Sequence, residues 1–501
     1  MKKILILLII SGSFFTSCNK LDEKPYSLVT PDGLTTASDA TALVSGVYAS
    51  LIYDPGEQPI YGRNINFLAD MTTDDWAAGP AAINANVQAL SRDIHDASND
   101  RVLAIWRQHY QGIGRANTAI DIIGGLSIDP VLRLRLAREA KFLRALLYFN
   151  LVRFFGAIPL VLHTSTDLTN LKTPRSAVDV VYTQIIADLT DAENLPAIYT
   201  GTDKGRATSG AAKALLAKVY LTRRNWDGAI AKAAEVINNK AAYGYDLPVS
   251  FADNFDYTKR NSGEIIYATD FTLNASLVSY NYLFASSWPS ATGNRADVPA
   301  DISLYSLYAS NDIRRAKTFY TSKVALVGTN PTVFTYAAPG YFNKYVTDAY
   351  AYAGINGYAA PISFPVLRYA DLLLIYAEAL NEKNNGPTAA AFEALNEVRR
   401  RAFSQPIYSP GAYDVTALTN GTYTGFQDAV WLERRLELAC EANRWFDLVR
   451  ETRDGKSRLV SEVSKIASKT AVSERNNLFP IPQSQRDLDP EGLPQNPGYG
   501  N

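Results

Sequence analysis

From Ser38 onward the apolar positions of this chain recur mostly with a helical period, which predicts a largely α-helical protein. In residues 106–123 (WRQHYQGIGRANTAIDII), Trp106, Tyr110, Ile113, Asn117 and Ile120 share one stripe. Asp129-Pro130 opens the next helix, because Asp can cap unpaired N–H groups and Pro is tolerated in a first turn. Its buried face is predicted to hold Phe142, Ala145, Leu146, Phe149 and Val152, and it ends at Gly156, ahead of Pro159. Two later regions repeat one spacing: Ala217, Tyr220 and Ala229, then Ala377, Leu380 and Ala389. Small residues at these offsets let two antiparallel helices approach closely across a short turn. That is the packing logic of tetratricopeptide repeats.

Between the two repeats the pattern changes. Residues 264–271 (EIIYATDF) are β-branched and aromatic and predict a short strand. Residues 272–312 are polar, with no helical period, and predict a long loop. Residues 336–358 hold six Tyr, interrupted by Gly340, Gly354 and Gly357. Long loops in a packed helical body are uncommon and often functional. Residues 433–450 (ERRLELACEANRWFDLVR) predict one helix, with Glu433, Glu437 and Glu441 pairing at i,i+4 with Arg434, Arg435 and Arg444. The Pro-rich end, 479–501, predicts an extended segment laid across the surface.

The first residues add a destination. Lys2 and Lys3, the apolar run Ile4–Ile10 and the small or aromatic residues 11–17 form a signal peptide, 1–17. The run is too short to span a bilayer, which takes about 20 residues. Cys18 follows Thr16-Ser17 and resembles a bacterial lipobox, with Phe15 where Leu is commoner. Lipidation of Cys18 anchors the chain to a membrane. Residues 18–30 are polar and read as a flexible tether.

Charge and chemistry narrow the function. Lys+Arg (49) nearly balances Asp+Glu (50), and no basic stripe stands out, which argues against nucleic acid. With Cys18 acylated, Cys440 is alone and no intrachain disulfide forms. Cys440 reads as a buried, inert thiol on an apolar helix. His95, His109 and His163 fit no zinc pattern, and His95 and His109 read as ordinary surface or core residues. No phosphate loop, nucleophile elbow, H-E-x-x-H or EF-hand spacing occurs, so neither a catalytic centre nor a metal or cofactor site is expected.

Taken in order, Cys18, WRQHYQGIGRANTAID, REAKFLRALLYFNLVRFFGAIPLV, GRATSGAAKALLAKVYLT, NDIRRAKTFY, LRYADLLLIYAEALNE, ERRLELACEANRWFDLVR and FPIPQSQRDLDPEGLPQNPGY resemble the SusD/RagB family of Bacteroidetes outer-membrane lipoproteins. Cys440-Glu441-Ala442-Asn443 departs from the usual bulkier or Gly/His-containing versions. The resemblance implies a mostly α, tetratricopeptide-like scaffold with long loops and a few short strands. It implies an N-terminal region, 31–260, packed as one body with a C-terminal region, 261–501. It also implies a non-enzymatic surface protein, sent to the outer face by a signal such as Asp22-Glu23. Such a protein binds a glycan and passes it to a SusC-like TonB-dependent transporter. The alternative is a peptide- or protein-binding scaffold that uses the repeat groove.

Glycan binding needs aromatic faces for sugar C–H stacking and polar side chains for hydroxyls. Two stretches offer both. Residues 63–76 hold Arg63, Asn64, Asn66, Asp70, Asp74, Asp75 and Trp76; residues 274–297 hold Tyr280, Asn281, Tyr282, Trp288, Asn294, Arg295 and Asp297. The ligand residues expected are Trp76, Tyr280, Tyr282 and Trp288, with Asn66, Asp75, Asn281 and Arg295. Asp70, Asp74 and Asp75 suit Ca²⁺ by type, but a solvated loop or helix face accounts for them without a metal. Trp106, Trp226, Trp431 and Trp445 fall in helical periodicity and are expected in the core.

Overall fold

Helical hairpins carry the architecture of the computed structural model, which describes residues 33–53, 58–165, 172–261, 263–271, 283, 296–327, 330–346 and 362–500. The signal peptide, Cys18 and the tether lie outside the described residues. Helix α1 (Ala37–Ala49) starts in a capping box: Thr36 accepts from the Asp39 N–H, and the Asp39 carboxylate accepts from the Thr36 N–H. Helix α2 (Asp100–Gly125) is capped by Asn99, and α3 (Pro130–Phe155) by Asp129, with Pro130 at its first position. Gly156, at φ 71°, ends α3 where the sequence predicted. Gly112 sets how closely α2 meets its neighbours. A Cβ there would lie 2.7 Å from Leu147 Cδ1 and 2.8 Å from Ser50 Oγ.

Helix α3 is buried well beyond one face. Every residue from Phe142 to Val152 is buried, because α1, α2 and α4 (Val178–Ala192) all pack on it. Its polar members are satisfied inside. Arg144 donates to both oxygens of Asp188 at 2.8 Å, and Asn150 donates to the Tyr61 hydroxyl at 2.8 Å.

The two repeat spacings form helix pairs, α5 (Ser209–Thr222) with α6 (Trp226–Ile237), and α7 (Tyr369–Asn384) with α8 (Ala389–Ala402). Ala217, Ala229 and Ala377 are fully buried. Ala389 is exposed at the start of α8, and Ala391 takes the buried position instead. Helix α6 packs directly on α7, so the two pairs form one stack although a long stretch of chain separates them. Trp106, Trp431 and Trp445 are core residues, while Trp226 at the start of α6 is only half-buried.

The strands are short; some pair across long sequence distances, while Ser322–Val327 and Asn330–Thr335 form a local hairpin. Besides two-residue strands at Ile158–Pro159, Arg175–Ser176, Thr452–Arg453 and Lys456–Ser457, they include β1 (Trp76–Ala78), β2 (Ile265–Thr269), β3 (Asp297–Pro299), β4 (Phe319–Tyr320), β5 (Ser322–Val327), β6 (Asn330–Thr335), β7 (Tyr341–Phe342) and β8 (Phe364–Arg368). The predicted strand β2 pairs antiparallel with β8, with Phe364 opposite Thr269. The expected 272–312 loop is shorter than its pattern suggested, since β3 and a helical turn at Ser303–Leu307 occupy its end.

The predicted helix 433–450 is two helices, α9 (Tyr423–Leu438) and α10 (Arg444–Arg450). Cys440 (φ 66°) and Ala442 (φ 55°) are left-handed at the break, so Cys440 is buried in a turn and not on a helix. Burial pushes its thiol well above the ordinary range, which keeps it protonated and inert. The break has a physical cause. The buried Lys344 ammonium donates to the carbonyls of Glu437 and Ala439, at 3.0 and 2.7 Å, and to the Glu441 carboxylate at 2.7 Å. It satisfies the end of α9 in place of another helical turn.

Candidate functional site

The two stretches singled out in the sequence meet in space. Strand β1 pairs antiparallel with β3, placing Trp76 opposite Pro299 and Ala78 opposite Asp297. The ladder extends at both ends: Gly79 N–H donates to the Ala296 carbonyl at 2.8 Å, and Ala300 N–H to the Asp75 carbonyl at 2.9 Å. Arg63 stacks on Phe67, 4.2 Å from the ring centre, and forms a buried ion pair with Asp297. The polar loop before β3 is therefore rooted on the N-terminal stretch. Tyr280, Asn281, Tyr282, Trp288 and Arg295 belong to that loop and lie outside the described residues.

Three expected ligand residues are core residues instead. Trp76 is 1% exposed and stacks on Phe342 at 4.7 Å, so its faces are covered. Asn66 is fully buried and donates to Asp70 at 2.6 Å. Asp75 is 2% exposed and accepts from Arg435 at 2.7 Å. Sequence shows the stacking ring and the carboxylate, but not the partner that covers each from a distant part of the chain.

The acidic run is likewise part of the interior, which overturns both the solvated face and the metal reading. Asp74 receives both guanidinium donors of Arg444, at 2.9 and 2.8 Å, and Arg435 lies 2.9 Å from it. Burial raises the Asp74 carboxyl, but Arg444 and Arg435 outweigh it and hold the group well below the usual range. Carboxylates so neutralised are poor cation ligands, and among the described residues no group of acidic, His or Cys side chains is placed to hold a metal. His95 and His109 are buried, His109 hydrogen-bonding the Ile105 carbonyl at 2.7 Å.

Asp70 differs, because its hydrogen bonds come from neutral donors: Asn66, and the Ala442 N–H at 3.1 Å. Burial pushes its carboxyl up to about 7. A carboxyl raised in the folded state binds its proton more tightly than in the unfolded chain. Stability from this group is therefore full below the unfolded value of about 3.9 and declines as pH rises to about 7. Asp70→Asn is expected to match the wild type near pH 4 and to exceed it by on the order of a few kcal/mol near pH 8. Urea melts across that range check it, and a constant difference would refute it.

The residues that sequence reasoning missed are tyrosines next to Phe342. Tyr336 and Tyr341 meet edge-to-face at 4.6 Å, and Tyr320 lies 6.0 Å from each. Tyr336 and Tyr341 are half-buried, which leaves ring surface at the protein boundary. Strand β7 contacts β3, so this cluster stands beside the root of the polar loop. The density of Tyr after residue 336 was the available signal. What was missing was the β4–β7 pairing (Phe319 opposite Phe342, Tyr320 opposite Tyr341), which gathers the rings.

Comparison with known proteins places this arrangement. A family model described as starch-binding, associating with the outer membrane, matches residues 20–221, and the SusD family model matches residues 303–499. A SusD-like protein P2 from Formosa agariphila is 29% identical over 530 aligned residues, covering 100% of both chains. A SusD superfamily crystal structure from Parabacteroides distasonis superposes with a TM-score of 0.77 at 25% identity, over 93% of this chain and 100% of that one. A structure described as a laminarin binding SusD-like protein gives a TM-score of 0.74 at 26% identity, again over 93% and 100%. No helix among the described residues is long and apolar enough to cross a membrane.

Proposed function

Because this chain belongs to the SusD/RagB family, we propose that it is a non-catalytic, lipid-anchored outer-membrane protein that binds a glycan and hands it to a SusC-like TonB-dependent transporter. The observation that carries this reading is the β1–β3 pairing, which sets the first predicted stretch against residues 297–299, the end of the second, next to strand β7 of the half-buried Tyr336–Tyr341 pair. Aromatic rings next to a polar loop are what a sugar needs: a C–H face on the ring and hydroxyls on the rim. The similar laminarin binding protein makes a β-glucan a reasonable first ligand to try. The peptide-groove reading has less behind it, because the family model matching residues 20–221 is described as starch-binding and similar structures are described as glycan-binding.

The test is Trp288→Ala in calorimetric titration against laminarin, starch, xylan and pectin, with a thermal melt alongside. Loss of a stacking ring is expected to cost about 1–3 kcal/mol, by analogy with base–aromatic stacking. That weakens the dissociation constant roughly 5- to 150-fold. Unchanged affinity with an intact melt removes Trp288 from the site. A large fall in melting temperature makes it a structural anchor.

A further inference from the structure

Away from the β1–β3 pair, parts of residues 197–208, 243–245, 260–261 and β2 line a cleft of about 230 Å³. Its walls hold the rings of Tyr199, Tyr243 and Tyr245 and the cations Lys204, Arg206 and Arg260. No carboxylate occurs among the described lining residues, although the chain as a whole is nearly balanced in charge. The volume falls below the ~300 Å³ at which drug-sized sites begin, so the cleft suits a single sugar ring and not a chain.

The aromatic wall is fixed by its neighbours. Tyr243 stacks on Tyr245, with ring centres 5.7 Å apart and planes at 16°. Tyr245 is buried, and its hydroxyl lies 2.9 Å from that of Thr208. Both rings rest against Gly210 of α5, where a Cβ would come within 2.7 Å of Tyr245 and 2.9 Å of Tyr243. Tyr243 itself is half-buried, so part of its ring meets solvent. The charge of the wall is not balanced. Arg206 pairs with Glu139 and Asp203 at 2.8 Å each, and neither acid lines the cleft. Asp246, next to Tyr245, is held by Lys240 at 2.8 Å, and Asp270 lines the adjoining cleft instead. Arg260 donates to the Phe271 carbonyl at 2.6 Å, a bond that does not cancel its charge. Lys204 and Arg260 are both exposed, and no ion pair among the described residues engages Lys204. A recess with cations on its walls concentrates the field that attracts an anion.

We infer that this cleft is a second saccharide subsite, for an acidic sugar whose carboxylate or sulfate pairs with Lys204 while its C–H face lies on Tyr243. This rests on the glycan reading above and goes beyond it, since that reading leaves the charge of the sugar open. A neutral ring would gain the stacking but leave the cations unanswered. Asn261, exposed on the same wall at φ 53°, adds an amide that can serve ring hydroxyls.

The probes are glucuronate, glucose 6-sulfate and methyl β-D-glucopyranoside at millimolar concentration, followed by saturation-transfer NMR. The wild type, Lys204→Gln, Tyr243→Ala and Lys172→Gln are compared, each with a thermal melt. Lys172 is the control, an exposed lysine on a different cleft. At least one acidic sugar is expected to bind the wild type about five- to tenfold more tightly than the neutral glucoside, the size of one charge-assisted hydrogen bond at a partly solvated site. Which of the two does so identifies the acidic group. Lys204→Gln should lose that preference with an unchanged melt, because the side chain is exposed, and Lys172→Gln should keep it. Tyr243→Ala should weaken acidic and neutral sugars alike; should it fail to fold, the two lysine variants decide the matter without it. Equal binding of acidic and neutral sugars by the wild type overturns the subsite, as does an undiminished preference in Lys204→Gln. Equal loss in both lysine variants overturns it too, as a general effect of net charge. So does displacement of the sugar by inorganic sulfate at the same concentration, which marks an anion site without sugar recognition. Failure of the broader glycan reading is recognised separately, as wild-type protein that binds none of the polysaccharides.

Discussion

Glu437→Ala is expected to destabilise the protein by about 3–5 kcal/mol, the usual cost of breaking a buried ion pair by removing one partner. Glu437 is fully buried and accepts from Arg314 at 3.0 Å, Arg368 at 2.7 Å and Arg401 at 2.5 Å. The cluster around it is balanced. Asp312, Glu264, Glu433, Glu437 and Glu441 face Arg314, Lys344, Arg368, Arg399 and Arg401. Removing one carboxylate leaves an uncompensated cation away from water, and three guanidiniums lose a hydrogen-bond acceptor. Burial raises the Glu437 carboxyl, but Arg401, Arg368 and Arg314 outweigh it and hold the group well below the ordinary glutamate range. A carboxyl depressed in the folded state stabilises fully above its unfolded value of about 4.3, and that contribution fades as pH falls. The gap between wild type and Glu437→Ala should therefore be widest near neutral pH and narrow in acid. Denaturant melts at two pH values measure it. A variant within about 1 kcal/mol of wild type at neutral pH, where surface changes fall, would show that the cluster is not what joins α9 to β2, β8 and α8.

Cys18→Ser is expected to abolish acylation and with it the protein's own anchor in the membrane. On the lipoprotein reading residues 1–17 deliver the chain and the lipid on Cys18 is its own hold on the bilayer. No later stretch is long and charge-free, and no described helix can span a bilayer. A lipid contributes about 0.8 kcal/mol per buried CH₂, so a single hydroxyl-for-thiol change removes the whole anchor. Folding should be untouched, because the described body begins at residue 33, beyond the tether. Labelling with a clickable fatty acid, followed by fractionation, reads the outcome. Equal labelling of wild type and variant would refute the lipoprotein reading; loss of label with retention in the membrane fraction would instead point to the proposed transporter as a second hold.

The sequence was most legible where structure is local. The caps at Asp129 and Gly156 sit where residue type placed them, because a cap needs only its own first or last turn. The strand at 265–269 was visible because β-branched and aromatic residues suit a pleated, half-buried surface. The helix pairs around Ala217 and Ala229 and around Ala377 follow from small residues at close-approach positions, though Ala391 and not Ala389 makes the second contact of the later pair. The Pro-rich C-terminus is only partly extended: Gln483–Arg486 form a helical turn followed by further turns, because the segment is folded back onto the body, and Asn496 ties it to the carbonyls of Phe155 and Phe479 at 3.0 and 2.7 Å.

The charged residues of 433–450 were misread for the opposite reason. Their spacing fits i,i+4 pairs on an exposed helix, yet most find partners far along the chain: Arg434 with Asp371, Arg435 with Asp74 and Asp75, Glu441 with Lys344 and Arg368; Asp447 with Arg450 is a local exception. A buried charge is worth more to a distant buried charge than to a solvated neighbour one turn away, because the interior screens it less. Those pairings break the helix at Cys440 and bury Asp75. Trp76 is removed from the surface by a ring, Phe342, that no local pattern connects to it. By itself the sequence determined the helical class, the caps, the repeat spacing and, through the linked family motifs, the kinship. Which aromatic and acidic residues face water was decided by tertiary structure alone, because burial is a property of what the rest of the chain lays on top.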